Sequence, residues 1–214
     1  AYDRALKEAW FIPFEKQTGI KVMTVAATDP EMRAKALAMY QAKNVSWDMI
    51  TGTEVWAQRD GNRLFSEDLT EFCKPFAGNK DLVAEACSPA GVKYAVMATL
   101  LAFNEKVYAS KKPRNWADFW NTKDFPGPRA FPNYADPWRI FATALMADGV
   151  PADKLFPHDI DRAIRKLDEL RPHISTWYRT GDQSQRSFRQ GDYAMGLLWI
   201  SRAAPLRAEG QPVG

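Results

Sequence analysis

The chain carries two histidines, His158 and His173, and two cysteines, Cys73 and Cys87, so nucleophilic and metal chemistry have few places to reside. A hydrolase needs a nucleophile activated by an adjacent base. Both histidines flank a helix expected over residues 159–171, where they read as exposed polar residues near helix ends. There is no HExxH, no GxSxG and no Walker loop. The cysteines lack CxxC spacing and a histidine cluster, which disfavours zinc. A hydrolase-like enzyme is therefore the poorer reading, and no cofactor and no catalytic residue is expected. The cysteines leave two readings open. A Cys73–Cys87 bridge would close a loop of about 15 residues, worth ~3 kcal/mol in the chain-entropy model, and would fit an oxidising compartment. Two buried free thiols are the other reading.

Binding chemistry is better represented, and it is concentrated at the end of one stretch, residues 174–202 (ISTWYRTGDQSQRSFRQGDYAMGLLWISR). Residues 174–178 are β-branched and aromatic and read as a strand. Gly181 breaks it, Asp182 is expected to cap a helix with Gln185 as its reciprocal partner, and Gly191 ends that helix. Residues 193–200 are almost wholly apolar, as in a strand buried on both faces of a parallel sheet. Such open sheets bind ligands outside the carboxyl ends of their strands, where Trp177, Trp199, Ser201 and Arg202 fall. Of the two tryptophans, Trp177 reads as a core residue.

The wider composition agrees with a folded binding module. The chain has 214 residues, enough for one large or two modest domains, and 46% are hydrophobic. Twenty-nine basic and 26 acidic residues leave a net charge of +3, interleaved rather than striped, so a nucleic-acid partner is not expected. Eight tryptophans suit both cores and flat-faced pockets. No apolar run approaches the ~20 residues needed to cross a bilayer; the longest is residues 94–103. The chain starts at Ala1, and the expectation is that a signal peptide has been removed.

Taken in order, residues 2–18 show helical spacing at Leu6, Trp10 and Phe14, with Pro13 expected to bend the helix and Gly19 to cap it. Residues 20–26 and 47–51 read as strands, separated by a helix opening at Asp29-Pro30. A further helix is expected from Glu54 to Asp60. Residues 64–87 read as a surface excursion. Residues 91–97 and 99–103 are extended, and Asn115 precedes a short helix, WADFW. A second run follows: a strand at 129–131, a helix opened by Asp136-Pro137, a helix opened by Asp159 and stopped by Pro172, then the strand–helix–strand unit above. The whole is an α/β pattern in two runs split near Asn104.

The segments FEKQTGIKV, SWDMITGTEVW, YAVMATLLAFNEKVY with RNWADFW, ADPWRIFATALMADG and FRQGDYAMGLLWISRA, in that order, resemble bacterial periplasmic solute-binding proteins of ABC importers, and most of all the spermidine/putrescine-binding proteins. The resemblance implies a two-lobed α/β fold closing on a small solute, with lobe I at residues 1–104 and lobe II at 105–214. It also implies that both ends of that fold lie beyond the chain, since the first strand would precede Ala1 and the return to lobe I would follow Gly214. The implied setting is periplasmic, the implied partners are a small ligand and the importer's membrane permease, and the chain is expected to be a monomer and not an enzyme.

By the same resemblance, six residues line the ligand: Tyr2, Thr53, Asp136, Arg139, Trp199 and Arg202. Tyr2 takes the place of an aromatic before the first helix, and Thr53 that of a hydroxyl residue after the second strand, where it would also cap a helix. Asp136 matches the first of two carboxylates that hold ammonium groups, but Arg139 stands at the second. A guanidinium at a helix N-terminus disfavours a cation and favours an anion. Trp199 matches a tryptophan that packs on the ligand's aliphatic chain. Arg202 stands where a small or polar residue is usual and could pair with a carboxylate. The expected ligand is thus a small molecule with an anionic or zwitterionic group, such as an amino-acid derivative or organic acid, with a true polyamine as the alternative.

Overall fold

The computed structural model describes residues 5–52, 67–83, 86–133 and 137–214. The sites anticipated at Tyr2, Thr53 and Asp136, and the helix anticipated from Glu54, lie outside the described residues. The chain divides into two compact units, Ala1–Val96 and Met97–Gly214.

In the first unit a π-helical turn, Lys7–Phe11, runs into helix α1, Ile12–Thr18, which ends on Gly19 at φ 74°. Pro13 sits in the first turn of α1, where its missing N–H costs no hydrogen bond, so the irregular turn lies before it. Helix α2, Asp29–Gln41, opens with a reciprocal cap: the Thr28 backbone N–H donates to Glu31 Oε2 at 2.8 Å. The strands expected at residues 20–26 and 47–51 do not form ladders. Most of their side chains face water, Met23 at 91% and Met49 at 88% exposure. A strand exists only through ladder hydrogen bonds to a neighbouring strand, and no described strand pairs with these segments; the Val22 N–H donates instead to Glu15 Oε1 at 2.7 Å.

The surface excursion is stapled. Cys73, at the end of the single-turn helix α3 (Thr70–Cys73), is bridged to Cys87, with Cα atoms 5.4 Å apart. Cys87 begins a short hairpin of β1 (Cys87–Ser88) and β2 (Gly91–Val92), paired antiparallel. The Leu69 N–H donates to Pro89 O at 3.1 Å across the same junction. The extended segment expected at 91–97 therefore shortens to two paired residues, because the hairpin partner is only two residues long.

The second unit is built on a four-stranded sheet in the order β3-β6-β4-β5: β3 is Thr99–Phe103, β4 Arg129–Pro132, β5 Ile174–Tyr178 and β6 Met195–Trp199. β4 is parallel to both β5 and β6, while β3 runs antiparallel to β6 along five residue pairs. The strand–helix–strand unit read from sequence thus crosses over β4, so β5 and β6 are not neighbours. Helix α4 (Trp116–Trp120) is capped by Asn115, whose Oδ1 accepts from Asp118 N at 2.9 Å. Helices α5 (Trp138–Ala147), α6 (Ile160–Leu170, capped by Asp159), α7 (Gly181–Gln190) and α8 (Ile200–Ala208) complete the unit.

Side chains alternate across the sheet into two cores. Phe103, Phe131, Met195 and Leu197 join Phe119, Ile140 and Leu170 on one face. Ala102, Ala130 and Leu198 join Phe188, Ala203 and Leu206 on the other. That two-sided burial is why residues 193–200 show no polar alternation.

Among the described residues, one charged side chain is buried in this packing. Arg129 is fully buried at the start of β4. Its guanidinium donates to Phe119 O at 2.9 Å, Phe125 O at 2.7 Å and Gly127 O at 2.5 Å, and lies 5.5 Å over the Phe119 ring. Burial lowers its pKa from the ordinary arginine value. It gathers carbonyls that a short helix end and a turn would otherwise leave bare.

Two outcomes follow from these ties. Replacing Arg129 by Met strands three carbonyls and is expected to cost about 3–5 kcal/mol in urea denaturation, with Arg129→Lys intermediate. Reduction of the Cys73–Cys87 bridge, which spans 14 residues of chain, is expected to lower the stability of the first unit by about 3 kcal/mol; identical unfolding with and without reductant would contradict this.

Candidate ligand site

The parallel strands β4, β5 and β6 end on one edge of the sheet, and helices α5, α7 and α8 begin there. β4 connects to β5 on one side. The chain after β6 runs to the other side, where Val213 bridges Asn104 just beyond β3. Adjacent strands whose connections diverge in this way define the switch point at which open α/β sheets take ligands.

Trp199, half-buried, is the last residue of β6, opposite Thr99 of β3. It is also the residue from which α8 starts, and no side chain caps that start; the Ile200 N–H donates to Ala98 O at 3.0 Å. Helix α5 opens from Pro137, and no side chain among the described residues caps it. Arg139 in its first turn is half-buried, with its guanidinium 4.6 Å over the Trp138 ring. Trp177 is a correction: it is 47% exposed on the edge strand β5, one face against Phe131 at 5.7 Å, because an edge strand offers no neighbour to cover it.

The start of α7 also differs from expectation. Thr180, not Asp182, caps it, accepting from Gln183 N at 3.2 Å, and Gln183 Oε1 accepts in return from Arg179 N at 2.9 Å. Asp182 and Gln185 are instead both committed to Arg202. Arg202 Nη1 donates to Asp182 Oδ1 at 2.6 Å, and Gln185 Nε2 donates to Arg202 O at 3.0 Å. The Arg202 side chain is 14% exposed and that of Asp182 73%. Arg202 Nε is buried with no hydrogen-bond partner among the described residues. It lies against the bare face of Gly181, where an added methyl would stand 2.1 Å from Nε. Local spacing concealed this arrangement, since Arg202 is 20 residues from Asp182 in sequence.

Behind the edge, Tyr193 Oη donates to Ser184 O at 2.8 Å and Tyr178 Oη to Leu197 O, which tie α7 and β5 to the sheet. Burial pushes the Tyr193 hydroxyl well above its ordinary pKa, so it acts as a neutral donor. Two shallow concavities lie elsewhere, one lined by Leu145, Gly149, Lys154 and Arg162, the other at the amino ends of β4 and β5 beside His173. His158 Nδ1 is 2.6 Å from Leu155 O and its ring stacks on Phe156 at 4.4 Å. Both cysteines are consumed by the bridge, which resolves the open choice. Among the described residues no group of three or more His, Cys, Asp or Glu is placed to hold a metal, and no helix is long and apolar enough to cross a membrane.

Residues 9–214 match the family described as bacterial extracellular solute-binding protein. The gamma-aminobutyric acid-binding protein of Pseudomonas aeruginosa is 34% identical over 96% of this chain and 58% of its own length. The spermidine/putrescine-binding periplasmic protein of Escherichia coli is 24% identical over 94% of this chain and 57% of its own. The solved structure of AttC from Agrobacterium tumefaciens C58, a PBP in an open unliganded conformation, superimposes with a TM-score of 0.73 at 50% identity, covering 100% of this chain and 65% of that one. The chain thus spans less than two thirds of the length of each. The α/β, two-lobed reading and the likeness to polyamine-binding proteins both stand, and the chain belongs to the bacterial extracellular solute-binding protein family.

Proposed function

We propose that this chain is the solute-capturing component of an ABC importer, that it works in the periplasm, and that its ligand is a small carboxylate or zwitterion of the γ-aminobutyrate kind. The observation that carries the reading is Arg202: a largely buried guanidinium, held against Gly181 at the carboxyl edge of the sheet, with donors left over after its bond to Asp182. A guanidinium fork presented beside the start of α8, which no side chain caps, suits a carboxylate and opposes a polyamine. Arg139, in the first turn of α5, adds positive charge of the same kind. The gamma-aminobutyric acid-binding relative supports the ligand class.

In this reading lobe I is residues 1–104 and lobe II residues 105–214, with β3 at the division hydrogen-bonded into the second unit's sheet. Tyr2 and Thr53 contribute from lobe I, and Asp136, Arg139, Trp199 and Arg202 from lobe II. The ammonium of a zwitterion pairs with Asp136 and the carboxylate with the arginines, while Trp199 covers the methylenes. The ligand makes its full set of contacts only when the lobes close, so it shifts the population toward the closed form, which a membrane permease then engages. The solute is carried unchanged, by a monomer that needs neither cofactor nor nucleic acid.

Calorimetric titration and thermal shift of the full-length protein test this. γ-Aminobutyrate is expected to raise the melting temperature, by the equivalent of ~2.7 kcal/mol at a hundredfold excess over Kd, and putrescine and spermidine to have little effect. Tight polyamine binding with no response to carboxylates would overturn the reading in favour of the polyamine alternative. Gly181→Ala supplies a sharper check. The flexible Arg202 tip can yield to the new methyl and alanine suits a helical first turn, so stability is expected to change by less than ~1 kcal/mol. The displaced guanidinium is expected to weaken γ-aminobutyrate binding by about tenfold, as for loss of one charged hydrogen bond.

A further inference from the structure

We propose that Asp182 is a built-in competitor for the ligand carboxylate at Arg202, a positioning residue that aims the guanidinium and lowers its affinity for anions. This rests on the ligand reading above and goes beyond it by assigning a residue that sets the strength and charge selectivity of binding.

Three features surround Arg202. Gly181 offers a bare backbone face to Nε, Gln185 Nε2 donates to the Arg202 carbonyl, and Asp182 Oδ1 accepts from Nη1 at 2.6 Å. The first two leave the charge untouched. Among the described residues, Asp182 alone pairs with that charge. Asp182 is not needed for the cap, because Thr180 and Gln183 already make that motif. Its carboxylate is largely exposed while Arg202 is largely buried, so the pair is asymmetric. The acid can swing into water at little cost, whereas the guanidinium is largely buried in the space that Gly181 leaves open. An incoming carboxylate therefore finds the base aimed and already paired with a weak, displaceable acid. An ion pair with one partner this exposed is worth up to about fivefold in an equilibrium constant, and the affinity of any anion that must replace or share it falls by that factor.

The substitution Asp182→Asn separates aim from competition. Asparagine keeps an oxygen that accepts from Nη1, so the guanidinium stays aimed, but the competing charge is gone. Titration of the full-length protein is expected to show γ-aminobutyrate bound two- to fivefold more tightly by Asp182→Asn than by wild type. Asp182→Glu, which restores the charge, is expected to return affinity to near the wild-type value. 4-Aminobutanamide, which has the same chain without the carboxylate charge, is expected to gain nothing from Asp182→Asn. Unliganded melting temperatures read alongside show that each variant is folded. Unchanged or weaker γ-aminobutyrate binding in Asp182→Asn overturns the inference, weaker binding showing instead that Asp182 is a plain structural support or an ammonium ligand. If wild type fails to bind γ-aminobutyrate at all, the ligand reading fails and takes this inference with it. If wild type binds and Asp182→Asn does not differ, only this inference fails.

Discussion

The parallel pairing of β4 with β6 is the constraint on which the second unit depends. It joins Arg129 to Met195 and Ala130 to Gly196 in register. Gly196 allows it: a methyl there would stand 2.9 Å from the Tyr193 ring and 3.2 Å from Ala130 Cβ. With no side chain at that point, the tyrosine can cross the strand and reach Ser184 O, which fastens α7 to the sheet. The same pairing sets two carboxyl ends side by side and sends their connections in opposite directions. Trp199, Arg202 and the start of α5 reach one edge because of that topology and not because of any local motif.

Apolar burial supplies most of the stabilisation. Met195, Leu197 and Leu198 are almost completely buried in the central strand, and a side chain of that size contributes roughly 1.5–3 kcal/mol when removed from water. The buried polar contacts do something different. Arg129 binds three carbonyls, Tyr193 one and Tyr178 another, and each bond joins segments that are distant in sequence or lie at irregular turns. Left unpaired, such groups cost more than the bonds gain, so these contacts select one arrangement of helices over others of similar apolar area. The positive charge at the carboxyl edge thus rests on a frame that is fixed from below. In the first unit the comparable tie is covalent, between Cys73 and Cys87.

Much of this frame is legible in the sequence. Strands Thr99–Phe103 and Ile174–Tyr178 and helices α4 and α6 follow their apolar periodicity and their Asn115 and Asp159 caps. The failures share a cause, since each depended on a partner distant in sequence. Residues 20–26 have strand composition, but no described strand pairs with them. Trp177 has core composition but lies on an edge. Asp182 has cap chemistry, yet Thr180 lies two residues earlier and Arg202 arrives from another helix to claim the acid. Arg129 gave no signal at all, because its partners are carbonyls, which every residue carries. Of the six proposed ligand residues, Arg139, Trp199 and Arg202 sit at one edge of the second unit, while Tyr2, Thr53 and Asp136 lie outside the described residues.

The central claim is that a carboxylate-bearing solute is held at the carboxyl edge of this sheet. Amide chemical shifts of the isotopically labelled full-length protein, followed through a titration with γ-aminobutyrate, test it directly. The account predicts saturable shifts at Arg139, Gly181 and residues 199–202, together with the indole N–H of Trp199. Shifts confined to the opposite end of the unit, around Gly149 and His173, or no saturable shift at any of these amides, would contradict it.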